Sequence, residues 1–136
     1  MPALNTLANL FSNLQNAELR NKNECLVIPS SKLIVDTLNT MKKHNYIGEF
    51  EVIDDKLGGK IRIQLLGKIN KCGVVSPRFA VAKSDYSLWE RRFLPAVGIG
   101  ILVVSTSKGI MTHTDAEKLN EGGRLLGYVY WSQFLN

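Results

Sequence analysis

Few residues of this chain are suited to covalent cross-linking, metal binding or membrane insertion. Its two cysteines, Cys25 and Cys72, and its two histidines, His44 and His113, do not have the spacing of a zinc site. Two distant cysteines do not make a disulfide framework, so we expect free thiols in a reducing compartment. The longest apolar run, 99–104, has the length of a strand and is far too short for a bilayer. We therefore predict no metal, no cofactor and no membrane partner.

Acidic residues are also scarce relative to basic ones. The 136 residues include 12 Asp and Glu against 17 Lys and Arg, a net charge of +5. Residues 1–66 hold eight basic and seven acidic side chains, whereas 67–136 hold nine and five. The positive charge of the second half favours a polyanionic partner such as nucleic acid. The candidates for a basic surface that faces such a partner are Lys71, Arg78, Lys83, Arg91 and Arg92.

The hydrophobic periodicity predicts an α+β fold with two small lobes. The first lobe, 1–67, is expected to run helix, strand, helix, strand, strand, and it ends in an alternating hairpin. After a polar connector, the second lobe, 68–136, is expected to be mostly antiparallel sheet with short helices. The predicted cores are Leu7, Phe11, Ile34, Leu38 and Ile63 in the first lobe, and Ile101, Val103, Leu125 and Val129 in the second.

Three adjacent hydroxyl residues, Ser105 to Ser107, follow the apolar run of the second lobe. With Lys108, Gly109 and the capping box at 114–117, they predict a strand, a hydroxyl-rich loop and a helix start. Gly109 permits a positive φ or a close approach by another molecule. Such a loop suits docking on sugars, phosphates and base edges. Hydroxyl residues are also typical of turns and helix caps, and spacing alone favours that structural interpretation.

A few further residues are of types that serve catalysis or base stacking. Ser105, His113 and Asp115 can be drawn as a hydrolase triad, but His113 and Asp115 are close in sequence and no nucleophile elbow is present. We therefore expect that the protein is not an enzyme. The alternative is a small hydrolase that uses Ser105 and His113. Tyr86 and Trp89 lie among basic residues and can offer stacking to bases. Alternatively, Trp89 packs under a short helix.

Several segments match a known family nearly from end to end. The chain resembles the eighth protein of the small ribosomal subunit, in its archaeal and eukaryotic form. The segments that carry this resemblance include Pro29-Ser30-Ser31-Lys32, Asn70-Lys71-Cys72-Gly73-Val74, Ser76-Pro77-Arg78-Phe79, Arg92-Phe93-Leu94-Pro95, the hydroxyl segment from Ser105 to Met111, and Gly127-Tyr128-Val129-Tyr130.

The resemblance implies a two-lobed α+β structural protein of the cytoplasmic ribosome, without a small-molecule substrate. It implies binding to the central domain of small-subunit rRNA early in assembly, beside neighbouring small-subunit proteins. The loop 105–109 is then expected in the minor groove of an irregular RNA helix, and 30–32 on a neighbouring part of the RNA. The candidate RNA-binding residues are Ser30, Ser31, Lys32, Lys71, Arg78, Tyr86, Ser105, Thr106, Ser107, Lys108, Gly109, Met111 and Arg124.

Overall fold

The computed structural model describes residues 3–28, 31–54, 59–75, 79–95 and 99–131. Over these ranges the chain has the predicted α+β fold, with four helices and eight strands. In chain order they are α1 (Ala3–Leu19), β1 (Glu24–Val27), α2 (Lys32–Lys43), β2 (Ile47–Ile53), β3 (Lys60–Leu65), β4 (Lys71–Val74), β5 (Ala80–Val81), α3 (Tyr86–Phe93), β6 (Ile101–Thr106), β7 (Gly109–Thr112), α4 (His113–Lys118) and β8 (Gly123–Tyr130).

The first half follows the predicted order and forms a three-stranded antiparallel sheet, β1-β3-β2. Along β3, buried residues such as Ile61 and Ile63 alternate with more exposed polar ones. Arg62 pairs across the sheet with Glu51, with 3.3 Å between nitrogen and oxygen. An acidic side chain of β2 thus faces a basic side chain of β3, as opposite charges on neighbouring strands prefer. A turn is predicted over 54–59, and its residues 55–58 lie outside the described residues.

The second half forms a larger antiparallel sheet in the order β4-β8-β6-β7, with β5 also paired to β8. Strand β8 is central, because β6 lies on one side of it and both β4 and β5 on the other. Gly127 of β8 allows α1 to approach closely. A Cβ atom there would lie 2.7 Å from both the Phe11 ring and the carbonyl oxygen of Gly73.

Strand β6 is buried on both of its faces. Ile101 and Val103 pack in one apolar cluster with the helices and sheet of the first half, whereas Leu102 and Val104 pack in a second cluster under α3 and α4. Successive residues of a strand point to opposite faces, so burial on both sides requires a continuous apolar run. Ile101, Val103 and Val129 therefore belong to the first cluster, and their predicted separate core is wrong. Leu125 lies in the second cluster, away from the first-half residues.

Between the predicted strand and the predicted helix, the hydroxyl segment forms a β-hairpin and not a loop. Ser105 and Thr106 belong to β6, Ser107 and Lys108 form the turn, and β7 begins at Gly109. The helix cap also lies two residues earlier than predicted. Thr112 accepts a hydrogen bond from the Asp115 N–H at 3.2 Å, and α4 starts at the next residue.

The polar connector predicted over 67–73 contains a strand at its end. Lys71 to Val74 form β4, which pairs with the second half of β8. A four-residue segment with a lysine and a glycine carries a weak strand signal, and its pairing partner lies more than 50 residues away. The next strand, β5, is short and comprises only Ala80–Val81.

Side chains of the first half contact the second-half sheet directly. Gln15 accepts a hydrogen bond from the Cys72 N–H at 2.8 Å and donates one to the carbonyl of Asn70 at 3.2 Å. Thr40 of α2 donates to the carbonyl of Ile110 in β7 at 3.4 Å. The two sheets fall on either side of residue 67, while the first apolar cluster spans both halves. The division into domains 1–67 and 68–136 stays a prediction.

Candidate nucleic-acid interface

The turn between β6 and β7 is organised by the hydroxyl group of Thr106. Its Oγ1 accepts a hydrogen bond from the Lys108 N–H at 3.1 Å and donates one to the carbonyl of Gly109 at 2.8 Å. Gly109 has φ +116°, in the left-handed region that side-chain-bearing residues rarely adopt. Thr106 thus serves the turn itself, as the structural interpretation of the hydroxyls proposes. We call residues 105–109 the hairpin tip.

A carboxylate that sequence reasoning missed lies against the hairpin tip. Ser107 donates to Oε2 of Glu121 at 3.2 Å, and Nζ of Lys108 lies 3.3 Å from Oε1 of the same carboxylate. The backbone of Glu121 is fixed in turn, since its carbonyl accepts the Tyr86 hydroxyl at 2.9 Å. The sequence offers little warning of this contact, because Glu121 follows a short helix and looks like a solvated loop residue.

The sheet places one further predicted residue beside the hairpin tip. Ser105 in β6 lies directly opposite Arg124 in β8, and Arg124 is exposed. Side chains of directly opposed residues in neighbouring strands lie close enough to act on one ligand. Ser105, Ser107, Lys108 and Arg124 therefore come together at one end of the second sheet, with Gly109 exposed next to them.

Other predicted residues lie apart from this end of the sheet. Lys71 pairs with Tyr130, six residues along β8 from Arg124, or roughly 20 Å at the rise of a strand. Thr40 is the α2 residue that contacts β7, and Lys32 lies eight residues before it. This separation corresponds to about 12 Å along the helix. The hydroxyl of Ser31 caps α2 by accepting the Ile34 N–H at 3.3 Å. Ser30 and Arg78 lie outside the described residues.

Two predicted RNA contacts are directed into the protein. Tyr86 is fully buried and its hydroxyl is used by Glu121, so the expectation that its ring contacts RNA is wrong. A tyrosine among charged residues is expected to be exposed, which is why the sequence predicts an RNA contact here. In the structure, Tyr86 is the first residue of α3 and faces the second apolar cluster. Met111 is half-buried against the same cluster, with its Sδ 4.0 Å from the Thr106 hydroxyl. Trp89 also packs against this cluster, in agreement with its structural interpretation.

The geometry around His113 does not form a hydrolase triad. Its side chain is 1% exposed, and Nδ1 accepts a hydrogen bond from the Leu102 N–H at 3.1 Å. The ring proton of the neutral form is then placed on Nε2, which lies 3.4 Å from the Glu90 carboxylate. A general base needs a free nitrogen directed at its nucleophile, and here both nitrogens face other groups. The imidazole links α3 to β6.

The thiols and carboxylates of the described residues do not form a reactive centre either. Burial, with smaller contributions from Glu18 and Cys25, raises the pKa of Cys72 to about 12, so its thiol stays protonated. The Cys72 Sγ donates to the carbonyl of Phe11 at 3.4 Å. Within the described ranges, no group of three or more His, Cys, Asp and Glu side chains is arranged to hold a metal ion. In the same part of the chain, no helix is long and apolar enough to cross a membrane.

Comparison with known proteins gives consistent matches over almost the entire chain. A sequence profile of the family described as Ribosomal protein S8 matches residues 5–130. A protein of Nitrosopumilus maritimus (strain SCM1), named small ribosomal subunit protein uS8, is 53% identical over 130 residues, which cover 96% of this chain and 100% of that protein. The protein of the same name from Cenarchaeum symbiosum (strain A) is 52% identical over 130 residues, with the same coverage.

Proposed function

This chain belongs to the ribosomal protein S8 family, and we propose that it binds the central domain of small-subunit rRNA through its hairpin tip. Family membership confirms the resemblance drawn from the sequence segments. It makes the chain a structural constituent of the small ribosomal subunit in the cytoplasmic ribosome, and not an enzyme. Its partners are therefore rRNA and other ribosomal proteins.

The observation that supports this proposal most strongly is the group of donors at the end of β6. Ser107 and Lys108 are exposed in the turn, and Ser105 and Arg124 lie beside them. Hydroxyl and cationic donors suit the phosphates and 2′-hydroxyls that line the wide, shallow minor groove of RNA. The glycine at the turn leaves space, since a Cβ at Gly109 would meet no atom within 4 Å. RNA backbone can approach at that point.

The proposed interface includes the start of α2 as a second contact. Ser31 caps this helix and Lys32 is its first residue, so backbone N–H groups and a positive charge lie together. An RNA phosphate suits the N-terminus of a twelve-residue helix. Lys71, on β4, is exposed and remains a candidate for a more distant phosphate. Lys71 lies roughly 20 Å along β8 from Arg124, so an RNA that reaches both residues contacts the protein at more than one place.

The experiment measures the affinity of folded variants for a central-domain rRNA fragment at several salt concentrations. We expect Lys108→Gln to lower affinity and to reduce the slope of log affinity against log salt by about 1. Ser107→Ala should weaken binding several-fold, because an RNA group loses its hydrogen-bond partner. Both residues are exposed, so melting temperatures should stay close to that of the parent protein.

The matched control is Lys42→Gln, which also removes one partly exposed lysine and one surface ion pair. Lys42 contacts Glu49 at 2.8 Å in the first half, and its side chain is 42% exposed against 55% for Lys108. It should leave both affinity and salt slope unchanged. If Lys108→Gln behaves like Lys42→Gln, the hairpin tip is not the RNA contact and the proposal is wrong.

A further inference from the structure

The outer side of α3 carries apolar and basic side chains that the hairpin tip does not use. Leu88 is 58% exposed, Arg91 and Arg92 are exposed, and Trp89 is half-buried. These four residues line a shallow depression of about 340 Å³. We call this set the α3 face. One exposed leucine thus lies beside two exposed arginines at this depression.

The α3 face rests on a stacked series of aromatic rings. The Arg92 guanidinium lies over two of them, with its Cζ 5.8 Å from the centroid of the Phe79 ring and 5.3 Å from that of Trp89. An exposed guanidinium that lies over aromatic rings can stack a further planar group on its outer side. The ring series runs Phe79, Trp89, Phe93, Tyr128 and Tyr130, with successive centroids 4.8, 6.2, 5.6 and 6.3 Å apart.

The charge around the α3 face is positive on the outside. Lys83, shortly before the helix, is exposed like the two arginines, and Asp85 is the exposed acid of the described segment 79–95. Glu90, the other acid of that segment, is buried and directed at His113. A polyanion is therefore attracted to this surface.

The α3 face also lies near the proposed RNA contact. Tyr86, the first residue of α3, bonds to the backbone of Glu121, whose carboxylate contacts Ser107 and Lys108. Arg92 lies six residues further along the helix, or about 9 Å. One RNA bound at the hairpin tip can therefore extend to this surface.

We propose that the α3 face binds an unpaired nucleotide of the RNA whose helix the hairpin tip contacts. The base stacks on the guanidinium of Arg92 beside Trp89 and Leu88, and Arg91 faces the phosphate. An unpaired base is the occupant that fits, because one leucine and part of one tryptophan fall far below the roughly 800 Å² per partner of a stable protein interface. The inference rests on the proposed function.

The test uses Arg92→Lys, which keeps the positive charge and removes the planar group. Two RNA probes are compared with the full-length protein. One is the central-domain helix alone, and the other is the same helix with its flanking unpaired nucleotides. We expect the parent protein to bind the longer probe more tightly, and Arg92→Lys to lose roughly tenfold for that probe only. The salt slope should not change, because the charge is retained.

Two further variants and a cross-linking experiment complete the test. Leu88→Ser alters an exposed position and should also weaken binding of the longer probe, without a change in melting temperature. Arg62→Lys, at an exposed arginine of the first sheet, is the matched control and should bind both probes like the parent protein. With 4-thiouridine at the unpaired positions, ultraviolet cross-links should map to the peptide containing Trp89.

The outcomes distinguish this inference from the proposed function. If the parent protein binds neither probe, the proposed function fails and this inference fails with it. If the parent protein binds both probes equally and Arg92→Lys changes nothing, the inference alone is overturned. Equal loss for both probes also overturns it, since the effect is then not tied to an unpaired base. A variant that binds both probes normally but loses a protein neighbour in reconstituted subunits assigns the face to a protein partner instead.

Discussion

Replacing Gly109 by alanine tests both the geometry of the hairpin tip and its role. Its φ is +116°, and a Cβ there would meet no atom within 4 Å. The change therefore causes no steric clash, and its whole effect on folding is backbone strain. A non-glycine residue in such a region costs about 1–3 kcal/mol of unfolding free energy. We expect the melting temperature to fall by roughly 3–5 °C per kcal/mol for a chain of this size.

Gly67→Ala is the matched control for this substitution. Gly67 has φ +72° and also has no atom within 4 Å of the added Cβ, but it lies at the end of the first half. This angle is close to the left-handed helical region, so its cost should fall at the lower end, about 1 kcal/mol. The assays are thermal unfolding by circular dichroism and affinity for the rRNA fragment well below both melting temperatures.

The two assays answer separate questions. If RNA backbone approaches the hairpin tip at Gly109, the added methyl group should weaken binding by the folded Gly109→Ala protein, while Gly67→Ala keeps full affinity. Full affinity in Gly109→Ala would refute the close approach. A melting temperature equal to that of the parent protein would refute the strain argument, because no compensating contact is available to the new methyl group.

Three other substitutions give further tests. Thr106→Ala should lower the unfolding free energy by about 1 kcal/mol, because the turn loses both hydrogen bonds, while Thr106→Ser should restore most of it in denaturant titrations. Glu121→Gln should strengthen rRNA binding several-fold, since a negative charge that competes with phosphate for Ser107 and Lys108 is removed; weaker binding would make Glu121 a positioning residue. Burial raises the pKa of Glu18 above 4.5 despite the Ile69 N–H bond, so its stabilising contribution is present below pH 4.5 and is lost as pH rises through the folded-state pKa. Glu18→Gln should remove that pH dependence from the unfolding free energy.

The first half was predictable because its signals are local. The alternation of Ile61 and Ile63 with polar residues fixes one buried face, and Ser31 before an amphipathic run marks a helix start. Gly59, with φ +80°, then allows the chain to enter β3. Each of these three features acts within a few residues, so it can be predicted without knowledge of the rest of the fold.

The second half was harder to predict because its structure depends on distant pairing. Thr112 and Thr114 are both suitable helix caps and their hydroxyls lie 3.0 Å apart, so the sequence alone does not choose between them. The choice depends on β7, which continues β6 through a two-residue turn and ends at Thr112. The residues of the candidate site also differ in whether local sequence or distant pairing places them. The local pattern predicts Ser107 and Lys108 as site residues, whereas Glu121 reaches them only through the folded sheet.

The burial of β6 on both faces connects the fold to the proposed interface. Ile101 and Val103 are held by the helices of the first half, and Leu102 and Val104 by the cluster under α3. The hairpin tip is the direct continuation of this strand, so its donors are positioned by two cores and not by a flexible loop. A strand fixed on both sides loses little conformational entropy when RNA binds. A large-to-small substitution that leaves a cavity in either core should therefore shift β6 and, with it, the donors of the hairpin tip. The apolar run of β6 and the proposed RNA contact thus belong to one strand because the first fixes the position of the second.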